Sequence, residues 1–210
     1  MKKTILTIAL LATIAVSTAQ DRNSTLKFGA KAGLNISSAS VDRTFDTDIS
    51  TLIGVHIGGF ANFKLDEKFT LQPELLFSTQ GYKEYLDDGG YIYDDKVKLT
   101  YINLPLNFQY AVASKVYVEA GPQLDFLLSG KRDNKYYDPM SNETTTRNDV
   151  DIKDDLKSTA FGFNVGAGYA ITQQLSANIR YHIGLSEIDD LEGVKTKNRN
   201  LQLSLGYSFN

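Results

Sequence analysis

The chain has 210 residues, with 22 Lys and Arg against 25 Asp and Glu for a formal net charge of −3, and it contains no cysteine. The missing cysteine excludes a disulfide framework, a lipidated N-terminal cysteine and thiol chemistry, and the mildly acidic balance gives no nucleic-acid footprint. After the N-terminal segment no apolar run approaches the roughly 18 to 20 residues that a membrane helix needs, so a helical membrane protein is excluded while a spanning barrel is not.

Met1 to Gln20 reads MKKTILTIALLATIAVSTAQ: Lys2 and Lys3, an apolar run from Ile5 to Val16, then small residues at Ser17 and Ala19. That order is the pattern of a secretory signal peptide cleaved before Gln20. The expected organisation is therefore a signal peptide over residues 1–19 and one domain over 20–210.

From there the sequence alternates with period two, the spacing of β-strands. Eight strands are predicted at roughly 27–37, 51–64, 69–83, 96–110, 115–129, 158–170, 175–186 and 197–209. The connections fall into two classes that alternate strictly. Three are short, Leu65–Lys68, Ala111–Ser114 and Ile171–Gln174; four are long, 38–50, 84–95, 130–157 and 187–196, rich in Asp, Asn, Ser, Thr and Gly. Short turns at one end and long loops at the other describe an all-β, eight-stranded antiparallel up-and-down transmembrane β-barrel with its termini at the short-turn end.

The two faces of these strands differ in kind. One parity carries Phe28, Leu34, Ile53, Val55, Ile57, Leu75, Phe77, Leu104, Phe108, Val118, Leu124, Leu203 and Leu205, uninterrupted by charge. The other carries Lys31, His56, Glu74, Glu119, Asp125, Arg180 and His182 among glycines and amides. Burying that many ions in a dry core costs several kcal/mol each unless partners compensate, so the apolar parity faces lipid. Phe63, Phe69, Tyr110, Tyr169 and Phe209 belong to it and sit near the short-turn end, as a periplasmic aromatic girdle would. Pro73, Pro105 and Pro122 fall inside predicted strands; a closed barrel has no edge strand to excuse a missing donor, and bulges or side-chain partners are expected there.

FGAKAGLNIS at 28–37, LQPELLFSTQGY at 71–82, YINLPLNFQY at 101–110, VYVEAGPQLDFLL at 116–128 and the terminal NLQLSLGYSFN resemble the PorT-like, porin-family outer-membrane β-barrel proteins of Bacteroidota. The resemblance covers most of the chain after the signal segment. It implies an eight-stranded barrel in the bacterial outer membrane, whose named PorT members serve type IX secretion. The terminal strand looks like the signal read by the barrel-insertion machinery, except that Asn210 follows Phe209.

Lys31, Glu74, Glu119, Asp125, Arg180 and His182 are the candidate lumen charge network. Eight strands leave an interior that side chains fill, so this network is expected to block the lumen; a narrow passive channel for ions or small solutes is the alternative, and a PorT-like secretion component a further one. His56 and His182 lack metal-ligand spacing, and no metal or cofactor is expected. Lipid hydrolysis would need an activated serine; Ser176 and Ser186 share the inward parity of His182, away from lipid, so no enzyme is expected. Asp87, Asp88, Asp94 and Asp95 read as a hydrated acidic loop, since no calcium-loop order is present. Tyr91, Tyr93, Tyr136 and Tyr137 on the long loops offer a contact surface for an extracellular or secretion-system protein. Outer-membrane lipid and the insertion machinery are the other expected partners, and nucleic acid is not.

Overall fold

The alternation closes on itself. In the computed structural model, which describes residues 26–42, 48–189 and 195–209, nine strands form one antiparallel sheet. They are β1 Leu26–Asp42, β2 Asp48–Lys64, β3 Phe69–Asp88, β4 Tyr91–Ala111, β5 Val116–Asp138, β6 Glu143–Asp151, β7 Thr159–Ala170, β8 Leu175–Gly184 and β9 Lys195–Ser208. Eight of them make a ring in the order β1-β2-β3-β4-β5-β7-β8-β9, closed by β1 against β9 from Gly29↔Ser208 to Asp42↔Lys195. β6 lies outside the ring, paired to β5 alone. The segment read as a signal peptide lies outside the described residues.

Two of the three short turns are stitched by their own side chains. Asp66 Oδ1 accepts from the backbone N–H groups of Lys68 and Phe69 at 2.7 and 2.8 Å, and Thr172 Oγ1 accepts from Gln174 and Leu175 at 3.1 and 2.9 Å. These are Asx- and ST-type turns, which settle donors the ladder leaves over.

Two of the expected long loops are not loops. β3 and β4 run on through the segment 84–95 to a two-residue turn at Gly89-Gly90, and β5 continues to Asp138 before doubling back as β6. Gly89 and Gly90 have φ of 63° and 96°, the left-handed geometry that a tight hairpin needs and glycine supplies without strain. These segments are polar and yet extended. A strand wetted on both faces has no reason to alternate, while the Tyr, Ile and Thr residues in YIYDD, NKYYD and ETTT carry the β preference.

The bulges expected at the prolines lie elsewhere. The β3–β4 register is the same at Leu71↔Phe108, Pro73↔Leu106 and Leu76↔Asn103, and the β4–β5 register the same at Leu104↔Leu124, Pro105↔Gln123 and Phe108↔Ala120. Shifts occur instead between Thr51 and His56 of β2, at Thr100/Tyr101 of β4 and at Arg132/Asn134 of β5. At the first of these, side chains replace ladder bonds: Val55 N donates to Thr79 Oγ1 at 2.9 Å, and Asn35 Nδ2 donates to Val55 O and Thr79 O at 3.1 and 2.9 Å. Nearby Gly81 has φ 151°, and a Cβ there would collide with Val97 O.

The exterior is apolar and exposed, Ile53 by 73 % and Leu205 by 55 %. The interior is polar through most of its height, with Asn35, His56, Glu74, Asn103, Glu119, Asn164, Arg180 and His182 all buried. At the long-loop end it turns dry. There Val97, Leu99, Tyr101 and Leu127 from the inner wall pack with Ala39, Tyr82, Ile152, Leu156, Ala160 and Ile188, two of which, Ile152 and Leu156, flank the 3-10 turn Lys153–Asp155. An apolar stopper thus sits over a polar lumen.

Candidate functional site

Four of the predicted lumen residues meet in one cluster. Lys31 on β1 donates to Glu74 Oε1 at 2.6 Å, and Arg180 on β8 grips the same carboxylate through both terminal nitrogens, Nη2 to Oε1 at 2.7 Å and Nη1 to Oε2 at 3.0 Å. Arg180 Nε donates to Glu119 Oε1 at 2.7 Å. β3 and β8 stand four strands apart in a ring of eight, so the Arg180–Glu74 fork crosses the full width of the lumen. Two cations balance two carboxylates, and amides close the remaining valences: Asn178 and Gln109 donate to Glu119 at 2.9 and 3.1 Å, and Gln109 also to Gln72 at 2.9 Å. A planar guanidinium suits this place because its fork meets a carboxylate in two parallel bonds.

Asp125 and His182 do not join that cluster. They lie together in a second layer, His182 Nε2 3.4 Å from Asp125 Oδ2 with no hydrogen bond at that nitrogen among the described residues. Asp125 Oδ1 accepts from Asn103 and Gln123 at 2.5 and 2.7 Å. Gln123 therefore turns its oxygen to Asn164 Nδ2 at 2.9 Å, which leaves Asn164 Oδ1 to accept from His182 Nδ1 at 3.0 Å. Asn164 also reaches Asn107 at 3.3 Å, which touches Glu74 at 3.4 Å, so a chain of amides joins the two layers.

A third constellation was not foreseen. His56 Nδ1 lies 2.9 Å from Asn35 Oδ1, and its Nε2 lies 2.8 Å from Ser204 Oγ. Asn35 Nδ2 points at two backbone carbonyls, so its oxygen must face the imidazole; His56 then carries its hydrogen on Nδ1 and accepts the Ser204 hydroxyl proton on Nε2. That is the direction of a serine-activating relay. All three side chains are buried between strands β1, β2 and β9, however, and face an interior occupied by side chains. The inward parity of Asn35, His56 and Ser204 was the available signal; the register that brings them into contact is not a local property.

Ser176 and Ser186 sit differently. Ser176 Oγ donates to Gly206 O at 3.4 Å, while Ser186 lies beyond β8 and accepts from Phe161 N at 2.8 Å, so both bond to backbone. Asp87 Oδ1 accepts from Gly90 N at 3.1 Å and Asp95 Oδ1 from Asn134 at 2.5 Å, roles in a turn and between strands.

Phe63, Phe69, Tyr110, Tyr169 and Phe209 point outward near the short-turn end, where the rings of Phe69 and Tyr110 lie 5.0 Å apart and those of Tyr207 and Phe209 5.9 Å apart. At the opposite end Tyr136 contacts Tyr91 and Tyr93, with ring centroids at 6.4 and 4.9 Å, on the sheet extension above the barrel; Tyr137 donates to Asn142 at 3.1 Å.

A family model described as outer membrane protein beta-barrel domain matches residues 18–190. No curated protein matches the chain. Among solved structures, the attachment invasion locus protein Ail of Yersinia pestis is 12 % identical, covering 87 % of this chain and 98 % of its own, with a TM-score of 0.48. Neisserial surface protein A is 16 % identical, with coverages of 89 % and 98 % and a TM-score of 0.46. OprG from Pseudomonas aeruginosa is 13 % identical, with coverages of 88 % and 96 % and a TM-score of 0.46.

Proposed function

We propose that this chain, which belongs to the outer membrane protein beta-barrel domain family, serves as a closed barrel with a structural or interaction role rather than as a pore. It resides in the bacterial outer membrane. One observation carries the reading: the Glu74–Arg180 fork spans the lumen, with Lys31 and Glu119 locked to it. A passing solute would have to separate buried ions, at about 3–5 kcal/mol for each broken partnership. The apolar cluster above adds a second barrier.

The interaction role falls to the β3–β6 extension, which carries Tyr91, Tyr93 and Tyr136 clear of the barrel, provided the long hairpins face the exterior. Phe63, Phe69, Tyr110, Tyr169 and Phe209 then mark the periplasmic interface, and residues 1–19 are a signal peptide removed on export. The absence of catalytic function is part of the proposal, supported by the burial of Ser204 and His56. The motif order favours a PorT-like member from Bacteroidota, so a co-purifying secretion partner is the observation that would move the reading toward that role.

The test is single-channel conductance of the purified, refolded barrel beside a Glu119→Ala/Arg180→Ala variant. A silent wild type is expected. Steady conductance steps from the wild type would overturn the blocked-lumen reading, and labelling of Ser204 by a serine-directed phosphonate would overturn the non-enzymatic one.

A further inference from the structure

The outer wall changes character where β3, β4 and β5 leave the apolar belt. Phe77 is paired with Ile102, and both belong to the lipid-facing parity. Two residues higher comes a row of hydroxyls, Thr79, Thr100 and Ser129, paired strand to strand. The next row reads Gly81, Lys98, Lys131, and the one after it Lys83, Lys96, Asp133. A pocket of about 410 Å³ opens in this wall, and Thr79, Thr100, Ser129, Lys96, Lys98 and Lys131 line it together with the exposed Ile53. The interrupted β2–β3 ladder, at Leu52, Ile53 and Gly54, forms the pocket's side.

Charge at the pocket runs against the rest of the chain. The whole protein carries a net −3, yet three lysines and no carboxylate line this cavity. Lys98 pairs with Asp133 and Asp149 at 2.8 and 3.0 Å, and Lys131 lies 3.9 Å from Asp149. Lys96 has no carboxylate within ion-pair distance among the described residues.

We propose that this pocket binds the phosphate of an anionic lipid of the outer leaflet, with Lys96, Lys98 and Lys131 around the phosphate and the lipid's chains on the apolar wall below. The occupant follows from the layering. A ligand seated here meets hydrocarbon-facing residues, then hydroxyls, then ammonium groups within a few residues' height, which is the order of parts in a phosphorylated lipid. A soluble protein would have to displace membrane to reach Ile53 and Phe77. Lysine suits a phosphate as a point charge free to turn.

The inference rests on the outer-membrane reading with the long hairpins outward, and a detergent assay separates the two questions. The full chain, refolded in micelles, is titrated with bis-phosphorylated lipid A, with its dephosphorylated form and with inorganic phosphate, and retention is read by native mass spectrometry. At about fivefold for each lysine, the combined Lys96→Gln, Lys98→Gln, Lys131→Gln variant should weaken retention of the phosphorylated lipid by about a hundredfold. Lys27→Gln, Lys64→Gln, Lys68→Gln at the other end should leave it unchanged. The triple Lys→Arg variant, which keeps charge and should keep retention, controls for folding, as does heat-modifiability on a gel. Equal retention by wild type and the triple Gln variant, equal retention of the dephosphorylated lipid, or displacement by stoichiometric inorganic phosphate would each overturn the proposal. Protease cleavage of the hairpins on intact cells tests the orientation separately; hairpins shielded there, with retention intact in micelles, would sink the orientation and the outer-leaflet assignment but not the pocket's affinity for phosphate.

Discussion

Replacing Glu74 by Gln isolates the energetics of the lumen. Glu74 accepts from Lys31 at 2.6 Å and from Arg180 at 2.7 and 3.0 Å, and its side chain is fully buried. A neutral amide of the same shape leaves two cations facing the single carboxylate of Glu119, with one amide N–H turned toward a donor. Removing one member of a buried ion cluster costs about 3–5 kcal/mol. With a urea dependence of about 2 kcal/mol per molar, the unfolding midpoint should fall by about 2 M. The assay is equilibrium urea unfolding of the barrel refolded into vesicles, followed by tyrosine fluorescence, since the chain has 12 Tyr and no Trp. A Lys31→Met/Glu74→Gln double variant restores one cation to one carboxylate and should recover part of the loss. A single-variant loss under about 1 kcal/mol, the range of exposed pairs, or a double variant that merely sums the two single losses, would refute the argument from charge balance.

Gly81→Val should destabilise the barrel by about 1–3 kcal/mol, because φ 151° is foreign to a branched side chain and its Cβ meets Val97 O; an unchanged melting temperature would count against the strain. Two backbone N–H groups, from Lys68 and Phe69, hold the exposed Asp66 carboxyl below its ordinary range. Its folded-state value being the lower one, its contribution is present above the unfolded carboxylate range and is lost as pH falls through the folded value. Asp66→Asn should therefore flatten the acid limb of stability, and an Asp66 carboxyl resonance titrating like a free aspartate would contradict the turn geometry.

The strand hairpin at Phe161–Leu185 shows how far the residues speak for themselves. Each side chain there has its face set by period two, and every inward or outward assignment for Phe163, Asn164, Arg180 and His182 follows from parity alone. Neighbours across the lumen are another matter. Arg180 finds Glu74 106 positions away because of ring closure and stagger, which no local pattern encodes. The stopper was hidden for a related reason: Val97, Leu99 and Tyr101 hold inward positions midway along β4, yet their partners Ile152, Leu156 and Ile188 come from segments whose polarity spoke of water. The β3–β6 extension was missed because strands immersed in solvent lose the amphipathic signature by which strands are recognised.

Closure removes every open edge from a barrel, yet β6 brings one back. Its nine residues pair with β5 on one side, and all of their side chains are exposed. Such a rim of free backbone groups is a template on which a neighbouring copy could polymerise. Glu143, Arg147, Asp149 and Asp151 stand along it, and Asp149 adopts φ 53°, out of line with an extended strand. Stacking two copies edge to edge would bring like charges together across a bent ladder, which weakens this rim as a template for polymerisation.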